Sequence, residues 1–352
     1  MGLSAEQQDL RDAVRGLLGS AGQEPWPRLC REVGVAGLAI PVRYGGAGAG
    51  PAETGLVMEE LGRDLTPSPM LGSAVLAAQA LLATGDEEAC GRLLPAIADG
   101  SATAALAWTT RAGRWDTDDV ACAARSFGGG GWELDGEAHY VLDGEDADVL
   151  LVAARGPAGV GLFDVDPAQD GVHRTAAVAM DAARRLAVVR LTGARGQPIG
   201  GDATAALRSA RDLACLALSA EQAGAARRAL DLTVGYTMTR VQFGRVIGSF
   251  QALQHRLADL HVLVESARSL SRSFAAATGD APRLGLRAAA AKVYCSEVLM
   301  RTAAEMIQLH GAIGITWEHQ AHRYLKRAHG GLHLFGPPAQ HAAAIAAAII
   351  DR

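Results

Sequence analysis

The sequence has no Cys-x-x-Cys pair, no excess of basic residues and few aromatic residues. Its five cysteines are odd in number and widely scattered, which is atypical of both a disulfide framework and a zinc site. The net charge of −5 provides no basic surface for nucleic acid. The composition therefore predicts a protein of a reducing cytoplasm, with no bound metal ion and no nucleic-acid partner.

Long hydrophobic runs are also absent. The apolar stretch 343–350 is far too short to span a bilayer, and the N-terminus lacks a basic segment followed by an apolar run. Residues 4–7 instead have a helix-capping pattern. We expect neither a membrane span nor a signal peptide.

The composition that remains is that of a globular protein. Hydrophobic residues make up 49% of the 352 residues and charged residues 20%, a length and balance that allow two or three domains. Residues 1–103 show helical periodicity interrupted by Gly and Pro, which predicts an N-terminal all-α domain. Residues 104–202 consist of short strand-like runs between turn signals, which predict a central antiparallel β-barrel or sandwich. The predicted strands lie at 120–124, 132–134, 138–142, 149–154, 160–165 and 184–191, with Gly-rich turns at 128–131 and 135–136.

Residues 203–352 return to helical periodicity. Four long segments are predicted, at about 203–239, 250–278, 283–311 and 319–350. Ala-rich helices of this length are typical of an antiparallel four-helix bundle, and their surplus apolar faces would need a partner subunit. The predicted fold class is therefore α+β multidomain.

An elbow at 236–259 joins the first two bundle segments. Arg240 ends one helical pattern, and two glycines separate it from the next. A guanidinium gives fork-shaped, charge-assisted hydrogen bonds and Phe243 offers a flat apolar face, a pairing that suits a phosphate with an attached aromatic base. On these residues alone, a solvated helix-terminal arginine and a core phenylalanine are the simpler interpretation.

The pattern that starts at Arg240 decides between these interpretations. It runs Arg-x-Gln-Phe-Gly-x-x-Ile-x-x-Phe-Gln-x-x-Gln-x-x-x-Ala-Asp and closely resembles the flavin-contacting turn of acyl-CoA dehydrogenases. The order of helical domain, β-domain and helical bundle is also that of this family, so the resemblance covers essentially the whole chain. It implies FAD as cofactor, held between subunits: one β-domain binds the flavin ring and the neighbour's bundle binds the adenylate half.

The adenylate half of the resemblance is intact. Arg240 and Phe243 match the family's phosphate and adenine contacts. The segment Gln308-Leu-His-Gly-Ala-Ile-Gly314 resembles the family's Gln-x-x-Gly-Gly-x-Gly loop, in which small residues let backbone N–H groups approach phosphate. Gln308, Gly311 and Gly314 are therefore cofactor-binding candidates, although Gly311 is also a suitable helix C-cap.

The ring half departs from the family pattern. Residues 107–116 line up with Ala-Ile-Thr-Glu-Pro-Gly-Ala-Gly-Ser-Asp, which keeps Thr109 as a flavin contact but places Trp115 at the small Ser. Residues 135–143 line up with Asn-Gly-Gln-Lys-Trp-Phe-Ile-Thr-Asn, which places His139 at the flavin-stacking Trp and Leu142 at the ring-bonding Thr. Two polar ring contacts are thus missing.

The catalytic base of the family is missing as well. Desaturation of a thioester needs a carboxylate to remove the α-proton, and general-base catalysis is worth about 10²- to 10⁴-fold. The two family positions for this Glu correspond to Phe335 and Ala214. Glu221 is a weak candidate because it lies seven residues after Ala214, roughly 10 Å along the same helix, where a structural ion pair is the more ordinary role. The remaining candidates are histidines near the equivalent loops, which are more often surface or packing residues: His310, His329 and His333.

The resemblance therefore implies a flavoprotein subunit that supports FAD-dependent α,β-desaturation of a bulky acyl thioester. The catalytic residue is unknown. The stretch Leu332-His-Leu-Phe-Gly-Pro-Pro-Ala-Gln-His341 resembles the end of the short, Glu-lacking subunits of heterotetrameric acyl-CoA dehydrogenases. The implied partners are an acyl-CoA or acyl-carrier thioester, a second subunit in a homo- or heterotetramer, and an electron acceptor. Two alternatives stay open: a homo-oligomeric flavin-dependent tailoring enzyme acting on a CoA- or carrier-bound chain, and a flavin-free scaffold.

Overall fold

The computed structural model describes residues 2–20, 25–127, 131–276 and 281–350. These residues form a helical N-terminal part, a central β-sheet and a helical C-terminal part, which confirms the predicted fold class. The predicted boundaries at 103/104 and 202/203 fall between the last N-terminal helix and the first strand, and between the last strand and the first bundle helix.

Five α-helices form the described N-terminal part. They are α1 Ala5–Ser20, α2 Trp26–Val33, α3 Pro51–Arg63, α4 Ala78–Thr84 and α5 Glu87–Ala98. A π-helical segment, Met70–Ala77, leads directly into α4. Helix α5 begins after Asp86, because its carboxylate accepts a hydrogen bond from the backbone N–H of Ala89 at 3.0 Å.

The central sheet is a small barrel. Its described strands are β1 Ala104–Ala107, β2 Cys122–Phe127, β3 Gly131–Leu142, β4 Val149–Gly156, β5 Gly159–Val165, β6 Val172–Ala176 and β7 Leu186–Ile199. The order is β1-β4-β2-β3-β7-β5, and β4 also pairs with β5, so the sheet closes on itself. Strands β1 and β2 run parallel to β4, so the barrel is not wholly antiparallel as predicted.

Several predicted strand boundaries are corrected. The stretches 132–134 and 138–142 belong to one strand, β3, because the predicted turn at 135–136 is a shift of register between Leu134 and Gly136. Strands β1 and β6 were not predicted. The sequence of β1, Ala-Ala-Leu-Ala, has no strand propensity, and pairing with β4 alone makes it a strand. Residues 128–130 of the predicted Gly-rich turn lie outside the described part of the chain.

The C-terminal part is the predicted bundle. It contains α6 Thr204–Thr239, α7 Gln251–Ala276, α8 Ala281–His310, α9 Ala321–His333 and α10 Pro338–Ile350, with a hairpin, β8 Val241–Gln242 and β9 Arg245–Val246, between α6 and α7. The segment predicted as one helix at 319–350 is corrected to two, α9 and α10. Pro337 and Pro338 interrupt it, since proline restricts the residue before it and is tolerated only in the first turn of a helix. Residues 277–278, predicted as the end of the second segment, lie outside the description.

Helices α3 and α6 cross at unusually short range and join the N-terminal part to the bundle. A Cβ on Gly62 would lie 2.1 Å from the backbone oxygen of Glu221, and one on Gly224 would lie 1.9 Å from that of Glu59. Glu59 also pairs with Arg268 and Arg272 of α7, at 2.9 Å each. The crossing fixes the position of Glu221. No helix among the described residues is long and apolar enough to cross a bilayer.

Candidate functional site

The hairpin elbow, residues 240–246, displays the candidate residues Arg240 and Phe243 on the surface. Arg240 follows the last turn of α6, and its backbone N–H donates to Tyr236 O at 2.9 Å. Phe243 and Gly244 form the two-residue turn with φ of 53° and 77°, a geometry that suits the twist of a hairpin but is unusual for a large aromatic residue. Phe243 is 92% exposed. Its ring meets Phe250 edge to face, with centroids 6.2 Å apart. A strained aromatic residue at a hairpin tip that stays this exposed is typical of a binding residue.

The second candidate loop begins at the end of α8. Gln308 is exposed, and Gly311 has φ of 64° with open space where a side chain would lie. Gly314 is buried, and a Cβ there would lie 3.1 Å from Ile307 O. The loop therefore requires small residues, the first for its backbone conformation and the second for close packing.

Tyr236 joins these two candidate segments. Its ring stacks on His310 with centroids 4.3 Å apart, and its hydroxyl donates to His310 O at 3.4 Å. His310 is itself fixed by a 2.7 Å hydrogen bond between Nδ1 and Met306 O. The structure thus brings the elbow and the Gln308 loop together at one end of the bundle. Burial lowers the pKa of His310, so this histidine is neutral.

Thr109 lies apart from them, in the β-domain. It is fully buried, and its hydroxyl donates to Asp119 Oδ2 at 2.9 Å while its oxygen accepts from Trp115 N at 3.3 Å. His139 lies 3.0 Å from Glu137, and Leu142 is buried. The hydroxyl of Thr109 is therefore already used in local hydrogen bonds.

Trp115 is the centre of an aromatic cluster formed by Trp108, Trp115 and Phe335. Its ring contacts Phe335 at 5.0 Å and Trp108 at 5.9 Å between centroids, both edge to face. Trp108 and Trp115 are 1% exposed and Phe335 is 0% exposed. Ala214 belongs to the same buried core. One position aligned with the catalytic Glu, Phe335, is therefore in direct contact with the position aligned with the flavin-side Ser, Trp115, and the other, Ala214, is also buried in the apolar core.

Hydrogen bonds hold the α9–α10 break against this cluster. The Nε2–H of His341 donates to Phe335 O at 2.9 Å, and Gln340 Nε2 donates to Arg114 O at 3.0 Å. Burial lowers the pKa of His341 to about 4, so it stays neutral and one ring nitrogen remains a donor. Lys292, fully buried on α8, donates to the carbonyls of Gly331 and Leu332 at 2.8 and 3.0 Å. The backbone around Phe335 is thus fixed on both sides.

Glu221 is part of a buried charge network. Its carboxylate accepts hydrogen bonds from Arg184 and, at 2.7 Å, from Arg327, which also pairs with Asp181. Burial by itself would raise the pKa of Glu221, but the two guanidinium groups outweigh it and the pKa lies below its ordinary value. A carboxylate held this way has the properties of a structural ion pair and not of a base near pH 7. His329 and His333 are exposed.

The five cysteines offer no alternative chemistry. All are buried and free, and burial raises the pKa of Cys122, Cys215 and Cys295 to about 12, so the thiols stay protonated. Among the described residues, no group of three or more His, Cys, Asp or Glu could hold a metal ion.

Sequence reasoning missed residues that the structure places in the site. Trp108 precedes Thr109 and could have been noticed from the aligned motif. Gln340 and His341 lie in the stretch 332–341 that resembles the Glu-lacking subunits, but that resemblance gave them no role. Their contacts around the aromatic cluster depend on the break between α9 and α10, which the periodicity did not predict.

Residues 4–101 match the family model "Acyl-CoA dehydrogenase, N-terminal domain", and residues 204–350 match "Acyl-CoA dehydrogenase, C-terminal domain". The chain is 41% identical over 314 residues to acyl-CoA dehydrogenase IpdE2 of Mycobacterium tuberculosis. This alignment covers 89% of this chain and 82% of that protein.

Two solved structures are similar along their whole length. One is the ChsE4-ChsE5 complex from Mycobacterium tuberculosis, with TM-score 0.89, 27% identity and coverage of 100% of this chain and 99% of that one. The other is the Tcur3481-Tcur3483 steroid ACAD, as a G363A variant, with TM-score 0.86, 28% identity and 98% coverage of both chains.

Proposed function

This chain belongs to the acyl-CoA dehydrogenase family of flavoprotein oxidoreductases, and we propose that it is the subunit of a two-chain enzyme that supplies the adenylate half of an FAD site. The partner chain supplies the flavin-ring platform and the catalytic base. The substrate is a bulky acyl thioester, which the assembled enzyme desaturates between Cα and Cβ.

The aromatic cluster is the observation that carries this proposal. Trp115 and Phe335 are in van der Waals contact at the positions where the family pattern has a small flavin-side residue and a catalytic Glu. Opening this region would expose two large aromatic side chains that are 1% and 0% exposed. Burying each such side chain is worth about 1.5–3 kcal/mol, so the cluster opposes entry of a flavin ring.

The elbow fits the other half of FAD. Arg240 is exposed and ends α6 without an ion pair among the described residues, so it is able to donate to a pyrophosphate oxygen. Phe243 offers an exposed ring for adenine, and the open backbone at Gly311 allows close approach of phosphate. When bound, FAD supplies the hydride acceptor for desaturation. This chain contributes binding and orientation, while removal of the α-proton falls to a carboxylate of the partner.

The relatives support two chains and a bulky substrate. ChsE4-ChsE5 is a complex of two named components, and Tcur3481-Tcur3483 is called a steroid ACAD. Large exposed apolar side chains near the elbow and the Gln308 loop support a partner surface at this end of the bundle, because apolar surface concentrated in one place is typical of interaction sites. They include Met238, Val241, Phe243, Ile315 and Trp317.

Flavin counting on the purified assembly tests the proposal. The chain is produced alone and together with a Glu-containing acyl-CoA dehydrogenase chain from the same organism, and bound FAD is measured from visible absorbance against protein concentration. We expect the chain alone to be colourless and inactive, and an assembly of two copies of each chain to hold two flavins. Four flavins, or a fully flavinated homotetramer of this chain, would contradict the proposal and favour the tailoring enzyme. A stable colourless complex would favour the scaffold.

Arg240→Ala tests the role of the elbow in the same assembly. Loss of a charge-assisted phosphate contact should weaken flavin retention by about 1.5–3 kcal/mol, roughly ten- to a hundredfold in affinity. Arg245→Ala is the matched control, because the guanidinium of Arg245 lies over the Phe250 ring at 4.0 Å. Equal flavin content in both variants after dialysis would refute the assignment of Arg240.

A further inference from the structure

Three histidines lie together where the loop 311–320 joins α8 to α9. His310, His319 and His322 form this histidine cluster: the first ends α8, the second lies in the loop, and the third is in the first turn of α9. The rings of His310 and His319 are 4.3 Å apart between centroids, and the ring of Tyr236 lies at the same distance from that of His310. The proposed function assigns no task to the protonation of these side chains.

The hydrogen bond of His310 fits only the neutral form of this imidazole. Its Nδ1–H donates to Met306 O at 2.7 Å, so the lone pair is on Nε2. Nε2 is buried and has no hydrogen-bond partner in the described part of the chain, and the residue is 3% exposed. A second proton would create a buried cation with an unsatisfied N–H. Burial lowers the pKa of His310, although its place at the C-terminus of α8 by itself favours a cation.

His319 uses its lone pair at the start of α9. Its Nδ1 accepts a hydrogen bond at 3.2 Å from the backbone N–H of Ala321, the first residue of that helix. The first N–H groups of a helix have no partner within the helix, and this imidazole satisfies one of them. Protonation of Nδ1 removes the acceptor and places a positive charge at the helix N-terminus, which the helix dipole disfavours. His319 is half-buried, so solvent reaches it more directly than it reaches His310.

His322 adds a third imidazole that is held in the neutral form. It is 9% exposed, and its Nε2 has no hydrogen-bond partner among the described residues. The ring of Trp317, in the loop, contacts it edge to face with centroids 4.5 Å apart. Burial, then the charges of Lys326 and Arg323, lower the pKa of His322. The contact between the loop and α9 at this point therefore depends on a neutral imidazole.

No carboxylate balances the histidine cluster within the described residues. The charged side chains that face it from α9, Arg323 and Lys326, are both positive. Glu305 of α8 is already paired with Arg256 of α7. Glu318 precedes His319 in the loop but is exposed and makes no ion pair in the described part of the chain. An added proton therefore meets positive charge without a counter-ion.

We propose that the histidine cluster is an acid-sensitive switch, in which protonation that begins at His319 opens the loop 311–320 away from Tyr236 and α9. The pKa of each of the three histidines is lowered from its ordinary value of 6.5, so the closed loop binds fewer protons than the open loop. The closed form is therefore fully stable above pH 6.5 and is lost progressively below it. The switch belongs to this chain alone, and only its consequence for a bound flavin rests on the proposed function.

Hydrogen exchange of the chain alone, followed by mass spectrometry between pH 7.5 and 5.0, tests the switch. Dividing each rate by the intrinsic rate at the same pH isolates the opening equilibrium. A histidine that is neutral in the closed form and has its ordinary pKa in the open form raises the opening constant about thirtyfold over this range. We expect protection across 313–323, where the N–H groups of Thr316 and Ala321 are hydrogen-bonded, to fall by about thirtyfold or more. Protection that stays constant across this range of pH would overturn the proposal.

Substitutions of His319 separate the switch from a merely structural role. His319→Asn keeps an acceptor oxygen for the start of α9 but does not titrate, so it should stay closed at pH 7.5 and reduce the response to pH at least about tenfold. His319→Ala should be open already at pH 7.5, because the N–H of Ala321 loses its acceptor. His329→Asn is the matched control, since His329 is exposed on the same helix and lies outside the cluster. A full response to pH in His319→Asn, or a lost response in His329→Asn, would show that other groups cause the opening and would overturn the proposal.

Discussion

Replacing Glu221 with Gln tests whether this carboxylate ties the bundle to the barrel. Glu221 is 4% exposed and is contacted by two buried guanidinium groups from different parts of the chain, Arg184 after β6 and Arg327 on α9. Arg327 keeps Asp181 as a second partner, whereas Arg184 makes no other ion pair among the described residues. The substitution therefore leaves a buried cation without its counter-ion.

The structure sets the expected magnitude. Removing one partner of a buried ion pair typically costs about 3–5 kcal/mol. Gln retains the shape of the side chain and one acceptor oxygen, so we expect a loss near 3 kcal/mol for Glu221→Gln and near 5 kcal/mol for Glu221→Ala. For a chain of this size, a loss of 3 kcal/mol lowers Tm by roughly 5–10 °C.

The pH dependence of the effect has a definite sign. Because the folded pKa of Glu221 lies below its ordinary value of 4.5, the ionised carboxylate stabilises the fold above pH 4.5. That contribution is lost as the pH falls through the folded pKa. The difference in stability between wild type and Glu221→Gln should therefore be constant near neutrality and shrink only in acid.

Urea and thermal unfolding followed by tryptophan fluorescence measure this difference. Glu265→Gln is the matched control, because Glu265 also contacts two arginines but is 42% exposed, and exposed pairs are worth about 0–1 kcal/mol. A Glu221→Gln variant as stable as the control would refute the reasoning. If Glu221 were instead the missing base, Gln would abolish turnover of the assembled enzyme and leave Tm nearly unchanged.

Three further substitutions have expected outcomes. Gly224→Ala should lower the free energy of unfolding in urea by more than about 2 kcal/mol, because its Cβ would lie 1.9 Å from a backbone oxygen of α3. Gly235→Ala, on the same helix, has open space around the new methyl group and should be neutral or stabilising by up to about 1 kcal/mol. Lys292→Met should cost about 1–3 kcal/mol because it leaves the carbonyls of Gly331 and Leu332, in the last turn of α9, without this donor. Hydrogen exchange should accelerate at 334–336 while the barrel stays protected. Phe335→Glu should lower Tm, because it buries a carboxylate against Trp115. It should not create desaturase activity in the single chain. Activity toward an acyl-CoA with an artificial electron acceptor would contradict this expectation.

The sequence alone determined the order of the three parts and most of the helices. Helical periodicity is a local signal of long segments, so the predicted ends of α6 and α8 agree with the structure to within two residues. The elbow motif and the motif at 308–314 are local too, and they identified Arg240, Phe243 and the Gln308 loop as candidate cofactor contacts. Their cofactor-binding role stays a prediction, while the structure adds that Tyr236 and His310 join them.

Tertiary structure decided everything that depends on residues far apart in the chain. The sequence of β1 has no β-strand propensity, and β1 is a strand because it pairs with β4. The turn predicted at 135–136 is overridden by the long pairing of β3 with β7. Sequence comparison could place Trp115 and Phe335 at altered positions, but their contact across 220 residues is what closes that region. The charge state of Glu221 likewise follows from burial and neighbours, which no local pattern contains.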